Sequence, residues 1–156
     1  MLSKKNRIFL AAFLCLAFSV IPDLYAQRQQ LPQPYNPVAL EHLRHSMEAL
    51  MIGDYQTSIL HCNMVIRLDP ESALTYVIRA RAYYELNDYD KVIADCTQAI
   101  RFDRNNAAAF AIRGNAHGQK NDLTRAISDW QAALRLNPEI DEARHNIELA
   151  QQRRNQ

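Results

Sequence analysis

Three histidines in the first half of the chain are the side chains best suited to bind a metal ion. His42 and His45 lie one helical turn apart, and His61 follows further along the chain. Three imidazole nitrogens could hold zinc, but no acidic fourth ligand is evident beside them. The competing interpretation is a surface pair of histidines, His45 with His61, that has lost its charge partner. The sequence favours this second interpretation, so no metal or other cofactor is predicted.

The spacing between His45 and His61 recurs in two arginine–aspartate pairs, Arg79 with Asp95 and Arg113 with Asp129. The three pairs follow one another at equal intervals, and the histidine pair begins the series. We expect both arginine–aspartate pairs to be exposed ion pairs between two neighbouring helices, each contributing about 0 to 1 kcal/mol.

Two cysteines of the body, Cys62 and Cys96, are separated by the same interval as successive pairs of this series. They would occupy the same place in successive helices, whose axes lie about 8–10 Å apart, whereas a disulfide needs Cα atoms within about 7 Å. We predict two buried, unreactive thiols, with a disulfide as the alternative in an oxidising compartment. Cys15 follows Leu14, where a lipidation motif needs a small residue, so lipidation is rejected.

Little else in the sequence indicates catalysis or phosphate binding. The only glycines are Gly53, Gly114 and Gly118, and neither Cys-x-x-Cys nor His-Glu-x-x-His occurs. The formal charge is +1, and the chain from residue 27 onward carries fifteen basic against sixteen acidic residues. The sequence therefore predicts no enzyme, no small-molecule substrate and no nucleic-acid partner.

The N-terminus has the pattern of a secretory signal peptide. Basic residues precede an apolar run from Ile8 to Ile21, and Leu24-Tyr25-Ala26 offers a cleavage site. A helix over this run would extend about 21 Å, less than the roughly 30 Å hydrocarbon core of a bilayer. We predict cleavage after Ala26 and a periplasmic or secreted protein, with a membrane anchor as the alternative. Residues 27–38, rich in proline and glutamine, are predicted to form an extended arm.

The body consists of three repeats of equal length, over 39–72, 73–106 and 107–140. Each repeat has a central corner, where a residue that tolerates left-handed backbone precedes a helix-capping aspartate. These corners are Gly53-Asp54, Asn87-Asp88 and Asn121-Asp122. Small residues face each other across the two helices at Ser46 and Ser58, Ala80 and Val92, and Gly114 and Ala126. Residues 141–156 are predicted to form a capping helix and tail. The predicted helices span 38–52, 55–69, 73–86, 89–103, 107–120, 123–136 and 140–153.

The repeat length, the small columns, the Asp-Tyr corners and the closing Pro70 and Pro138 resemble tetratricopeptide repeats. The resemblance implies an all-α, right-handed α-solenoid whose first helices line a concave groove for a segment of another protein. The groove residues it implies are Leu43, Met47, Leu50, Met51, Val77, Arg81, Tyr84, Glu85, Ala111, Asn115, Gly118 and Gln119. Some relatives clamp the terminal carboxylate of chaperone tails with lysines and asparagines, but Leu43 and Met47 stand where that clamp begins. The small residues of the last third are expected to leave room for something bulky.

Two functions from different classes remain open at this point. One is a scaffold of the cell envelope or secreted space that binds a partner segment in the groove. The other is a self-assembly unit that pairs as a homodimer through the apolar first repeat. The apolar stripe formed by Leu43, Met47 and Leu50 also needs a cover, and we expect the arm, with Leu31, Tyr35 and Val38, to plug it.

Overall fold

The computed structural model describes residues 36–154, and within this range the chain forms seven α-helices and no β-strand. They are α1 (Pro37–Met51), α2 (Tyr55–Leu68), α3 (Ala73–Glu85), α4 (Tyr89–Phe102), α5 (Ala107–Gln119), α6 (Leu123–Leu136) and α7 (Asp141–Arg154). Every predicted helix is confirmed, with ends within one residue of the prediction. None of the seven is both long and apolar enough to cross a membrane.

The predicted signal peptide and most of the predicted arm lie outside the described residues. Helix α1 begins at Pro37, so the last two residues of the arm, Pro37 and Val38, lie in the helix and are not extended. Proline suits this position because its fixed φ is helical and the first backbone N–H of a helix has no partner within it.

The three corners have the geometry that their residues predict. Gly53, Asn87 and Asn121 have φ angles of 81°, 60° and 60°. The aspartate that follows each of them caps the next helix by accepting a hydrogen bond from a backbone N–H three residues later. These three bonds are donated by the N–H groups of Thr57, Lys91 and Arg125. Each corner therefore reverses the chain and starts an antiparallel helix.

The small columns are buried and let the two helices of each hairpin approach closely. Ser46, Ser58, Ala80, Val92 and Ala126 are all 0% exposed. At Gly114 a Cβ atom would lie 2.7 Å from Cδ1 of Trp130, a separation that real side chains do not reach. The glycine is thus required because the indole of the facing helix fills the space beside it.

The arginine–aspartate pairs are bidentate and largely buried, so the prediction of exposed pairs is wrong. Arg79 donates from Nε and Nη2 to the two carboxylate oxygens of Asp95 at 2.8 and 2.7 Å, and Arg113 does the same with Asp129 at 2.8 Å. Asp95 and Asp129 are only 5% and 7% exposed, because neighbouring helices enclose them. Two parallel charge-assisted bonds then satisfy each buried carboxylate, and they raise the pKa of Arg79.

Each of these arginines also reaches back to the preceding hairpin. Nη1 of Arg79 donates to Oδ1 of Asn63 at 2.6 Å, and Nη1 of Arg113 donates to Oγ1 of Thr97 at 3.2 Å. One guanidinium therefore joins three helices, two within its own hairpin and one before it. We call this series of bonds the arginine ladder.

Helix α7 covers the last hairpin, as predicted for a cap. Ala143 and Ala150 are buried against Ala126, Ile127 and Trp130. The opposite side of α7 is polar and exposed, so the helix ends the apolar core at this end of the repeats.

Candidate functional site

The first helices α1, α3 and α5, together with α7, line a row of surface depressions that we call the groove. At its start Pro37, Leu40, Leu43, Met47 and Met51 surround a depression of about 690 Å³, which we call the apolar α1 surface. Leu40, Met47 and Met51 are 53%, 45% and 85% exposed. The surface lies where the sequence predicted it, except that Leu50 does not line it.

The middle of the groove is a depression of about 400 Å³ with mixed chemistry. Arg81, Tyr84 and Glu85 line it from α3, and Ala111 and Asn115 line it from α5. These five residues had been predicted from the sequence. Val77 had been predicted beside them, but it is 8% exposed and packs in the core.

The end of the groove is a depression of about 330 Å³ beside Trp130. The indole lies over both Gly114 and Gly118, and its Nε1 donates to Oδ1 of Asn115 at 2.7 Å. The indole therefore fills part of the space that the small residues were expected to leave open, and the depression beside it is what remains. Nε2 of Gln119 donates to the Tyr84 hydroxyl at 3.3 Å and joins this depression to the middle one.

Helix α7, which the sequence predicts only as a cap, also contributes side chains to the groove. Glu142 lines both the middle and the end depressions, and Asn146, Leu149 and Arg153 line the end. The repeat period could have found them: Leu149 follows Asn115 by one period and stands in the column of Met47 and Arg81. The groove thus ends on α7, which occupies the place that the first helix of a fourth repeat would take.

The histidine cluster, His42, His45 and His61, lies between α1 and α2. Nδ1 of His42 is 2.9 Å from Nδ1 of His61, and the His61 ring centroid is 5.2 and 5.1 Å from those of His42 and His45. Burial and the two neighbouring rings lower the pKa of His61. All three rings are half-buried, so they form one cluster and not the exposed pair that the sequence favoured.

The two cysteines are free and buried, as predicted. Burial raises the pKa of Cys62 to about 11 and that of Cys96 to about 12. Thiolate is the reactive form of cysteine, so neither side chain is a nucleophile near neutral pH.

These features define a class: a solenoid of helical hairpins with a groove along its first helices. A family model for the tetratricopeptide repeat matches residues 73–106. The second such domain of Spaghetti (RPAP3), solved with the HSP90 peptide SRMEEVD, is 31% identical; the match covers 65% of this chain and 94% of that one, with a TM-score of 0.63. The chain belongs to the tetratricopeptide repeat (TPR) family.

Two further solved structures share the fold. The second TPR domain of human RPAP3, in complex with the HSP70 peptide SGPTIEEVD, is 29% identical and covers 73% of this chain and 95% of its own, with a TM-score of 0.70. The Arabidopsis OM64 TPR domain is 23% identical and covers 74% and 96%, with a TM-score of 0.73. Among proteins of curated function, no significant match is found.

Proposed function

We propose that this chain is a non-enzymatic scaffold that binds a segment of another protein along the groove. The observation that carries the proposal is the row of depressions along α1, α3, α5 and α7, from the apolar α1 surface to Trp130. The RPAP3 domains are similar in fold and bind peptides. A surface of this kind suits an extended or helical segment.

The chemistry of the groove selects the segment. The peptides bound by the RPAP3 domains end in Glu-Glu-Val-Asp, and an acidic tail needs a cationic clamp. Here the groove begins with the large apolar side chains of Leu43 and Met47, beside an Arg44 that is paired with Glu48. Its middle sets Arg81 against Glu85 and Glu142. We propose a partner segment with large apolar side chains at one end and uncharged or mixed polar side chains at the other.

The proposed setting is the cell envelope or the secreted space. Its support is the basic start, the apolar run Ile8–Ile21 and the Leu24-Tyr25-Ala26 site. N-terminal sequencing of the protein from its natural host should give Gln27. A protein that keeps its first residues and is extracted from membranes would instead establish the anchor.

The alternative is a homodimer formed through the apolar α1 surface. Three of its side chains, Leu40, Met47 and Met51, are about half exposed or more, and contiguous exposed apolar patches mark interaction sites. A two-fold axis through this surface would bury the same residues of both copies.

Site-specific photocrosslinking separates the two functions. A photoreactive probe at Tyr84, in the middle of the groove, should capture a partner in cells, and Met47→Glu should abolish that capture. Met64→Glu is the matched control, because Met64 is 37% exposed on α2 and lines no part of the groove. Capture that survives Met47→Glu would reject the proposed binding mode. A dimer that Met47→Glu dissociates, with no other captured protein, would establish the alternative.

A further inference from the structure

The histidine cluster takes no part in the groove, yet it is built from both helices of the first hairpin. His42 and His45 lie one turn apart on α1, and His61 projects from α2. One ligand nitrogen of each ring lies within 4.8 Å of the other two. Three imidazoles from two different helices are therefore gathered at one point.

The donor set indicates which ions would fit. Imidazole nitrogen is a ligand for zinc and its neighbours in the first transition row, whereas calcium and magnesium take oxygen. Two nitrogens bound to one tetrahedral zinc at about 2.0–2.1 Å lie about 3.3 Å apart. The 2.9 Å between His42 Nδ1 and His61 Nδ1 needs to widen only slightly, and the third ring needs to move inward.

We propose that His42, His45 and His61 bind one zinc ion through three imidazole nitrogens, leaving a fourth position for water. The ion ties α1 to α2 in the first hairpin. Positions 45 and 61 correspond to those of Arg79 and Asp95, where the second hairpin has its buried ion pair. The metal thus supplies the link between helices that the second and third hairpins obtain from a guanidinium and a carboxylate.

One cation stands beside the proposed site. Nη2 of Arg44 donates to Nε2 of His45 at 2.9 Å, which shows that this nitrogen presents a lone pair. Arg44 is exposed and is also paired with Glu48 at 2.6 Å, so it can release His45 without losing its counter-ion. The repulsion between Arg44 and the metal is accordingly reduced by the carboxylate of Glu48.

The test is zinc titration of the full chain, made without a histidine tag and stripped of metal. Competition against a chromophoric chelator should give one zinc per chain, and cobalt should give the visible absorption of a four-coordinate site. His61→Ala should weaken zinc binding by at least about a hundredfold, since residues that merely support ligands are worth about 10- to 100-fold. Zinc should also raise the Tm of the parent protein.

Two variants keep the test decisive. His145→Ala removes an exposed histidine on α7 and should leave zinc affinity unchanged. The double variant His45→Arg and His61→Asp installs the ion pair of the other hairpins, so it should keep its helical circular dichroism while losing zinc binding and the rise in Tm. Equal zinc affinity in the parent and His61→Ala, or in the parent and the double variant, would overturn the proposal.

Discussion

At the scale of single residues, the Ser58 side chain stands out because its hydroxyl is buried without a hydrogen-bond partner among the described residues. It lies at 0% exposure beside the Cys62 thiol, and its weak interaction with that thiol, which slightly opposes the rise of the thiol's pKa, does not amount to a full hydrogen bond. A buried polar group left unsatisfied costs about 1–3 kcal/mol. The corresponding positions of the other hairpins hold Val92 and Ala126, so the column accepts apolar side chains.

We expect Ser58→Ala to raise the free energy of unfolding by about 1 kcal/mol, because it removes the unsatisfied hydroxyl and leaves only a small void. Urea denaturation measures the change. Ser46→Ala is the matched control, since the Ser46 hydroxyl donates to the Leu43 carbonyl at 2.7 Å and its loss should not stabilise the protein. A destabilised Ser58→Ala protein would show that the hydroxyl has a partner in solution.

His117 makes stability depend on pH. Its ring is 6% exposed, with Nε2 4.0 Å from Oδ2 of Asp129. Burial lowers its pKa below 6.5; Asp129 and Asp122 oppose this shift, and Arg125 and Arg113 reinforce it. The unfolded chain therefore binds protons more readily, so the free energy of unfolding falls as the pH drops below about 6.5.

His117→Gln should lose less stability than the parent protein between pH 7 and pH 5, measured by urea denaturation across that range. His61, whose pKa is also lowered, is present in both proteins, so its contribution cancels in the comparison. Parallel pH profiles for the two proteins would contradict the assignment to His117.

At the scale of the helices and corners, Gly53 is the position where backbone conformation decides stability. Its φ is +81°, and an added Cβ would meet only the Tyr55 hydroxyl, at 3.9 Å. Space is therefore available, and the cost of a side chain is conformational, about 1–2 kcal/mol for most residues. Asparagine tolerates this region and occupies it at both other corners.

Gly53→Ala should accordingly lower the free energy of unfolding by about 1 kcal/mol, whereas Gly53→Asn should lower it by much less. Asparagine can also accept a hydrogen bond from the Tyr55 hydroxyl, as Asn87 does from Tyr89 at 2.6 Å, and this adds to the difference expected between the two variants. Equal losses in thermal or urea unfolding would show that the first corner changes its conformation when the glycine is replaced.

The helices and corners could be predicted closely because their signals are local and repeat three times. At each corner a residue in the left-handed conformation is followed directly by the aspartate that caps the next helix. The whole signal therefore lies in two adjacent residues. The direction of a side chain between helices was less predictable. Val77 was placed in the groove and lies in the core, and the indole of Trp130 occupies the space over Gly118. Both outcomes depend on how far one helix is rotated against its neighbour.

At the scale of the whole chain, α7 closes the core and supplies the end of the groove. The groove residues on α7 were missed because its composition, with polar residues around a thin apolar edge, indicates a cap. The histidine cluster was underestimated for a similar reason. His42 contacts His61 across the hairpin, whereas spacing along the chain relates His42 only to His45, and His45 in turn to His61.

The cap can be tested through Trp130, the single tryptophan of the chain. Ala143 is 1% exposed against the cluster that contains this indole. Ala143→Arg should lift α7, lower the free energy of unfolding by about 3 kcal/mol and shift tryptophan emission to longer wavelength. His145→Arg, on the exposed side of the same helix, should change neither quantity. An unshifted emission in Ala143→Arg would mean that α7 does not shield the indole.

The arginine ladder makes the middle of this chain a unit that gene duplication could multiply. If a second copy of residues 73–106 were inserted after residue 106, the arginine of the copy would lie beside Thr97 of the preceding hairpin. It would pair with the aspartate of its own hairpin. Arg113 would then meet the copied threonine, so every bond of the ladder would be remade without a new residue. Copying residues 39–72 would not lengthen the ladder, because His45 and His61 stand in place of the arginine and the aspartate. The chain can therefore lengthen from its centre by whole periods, while its two ends stay as they are.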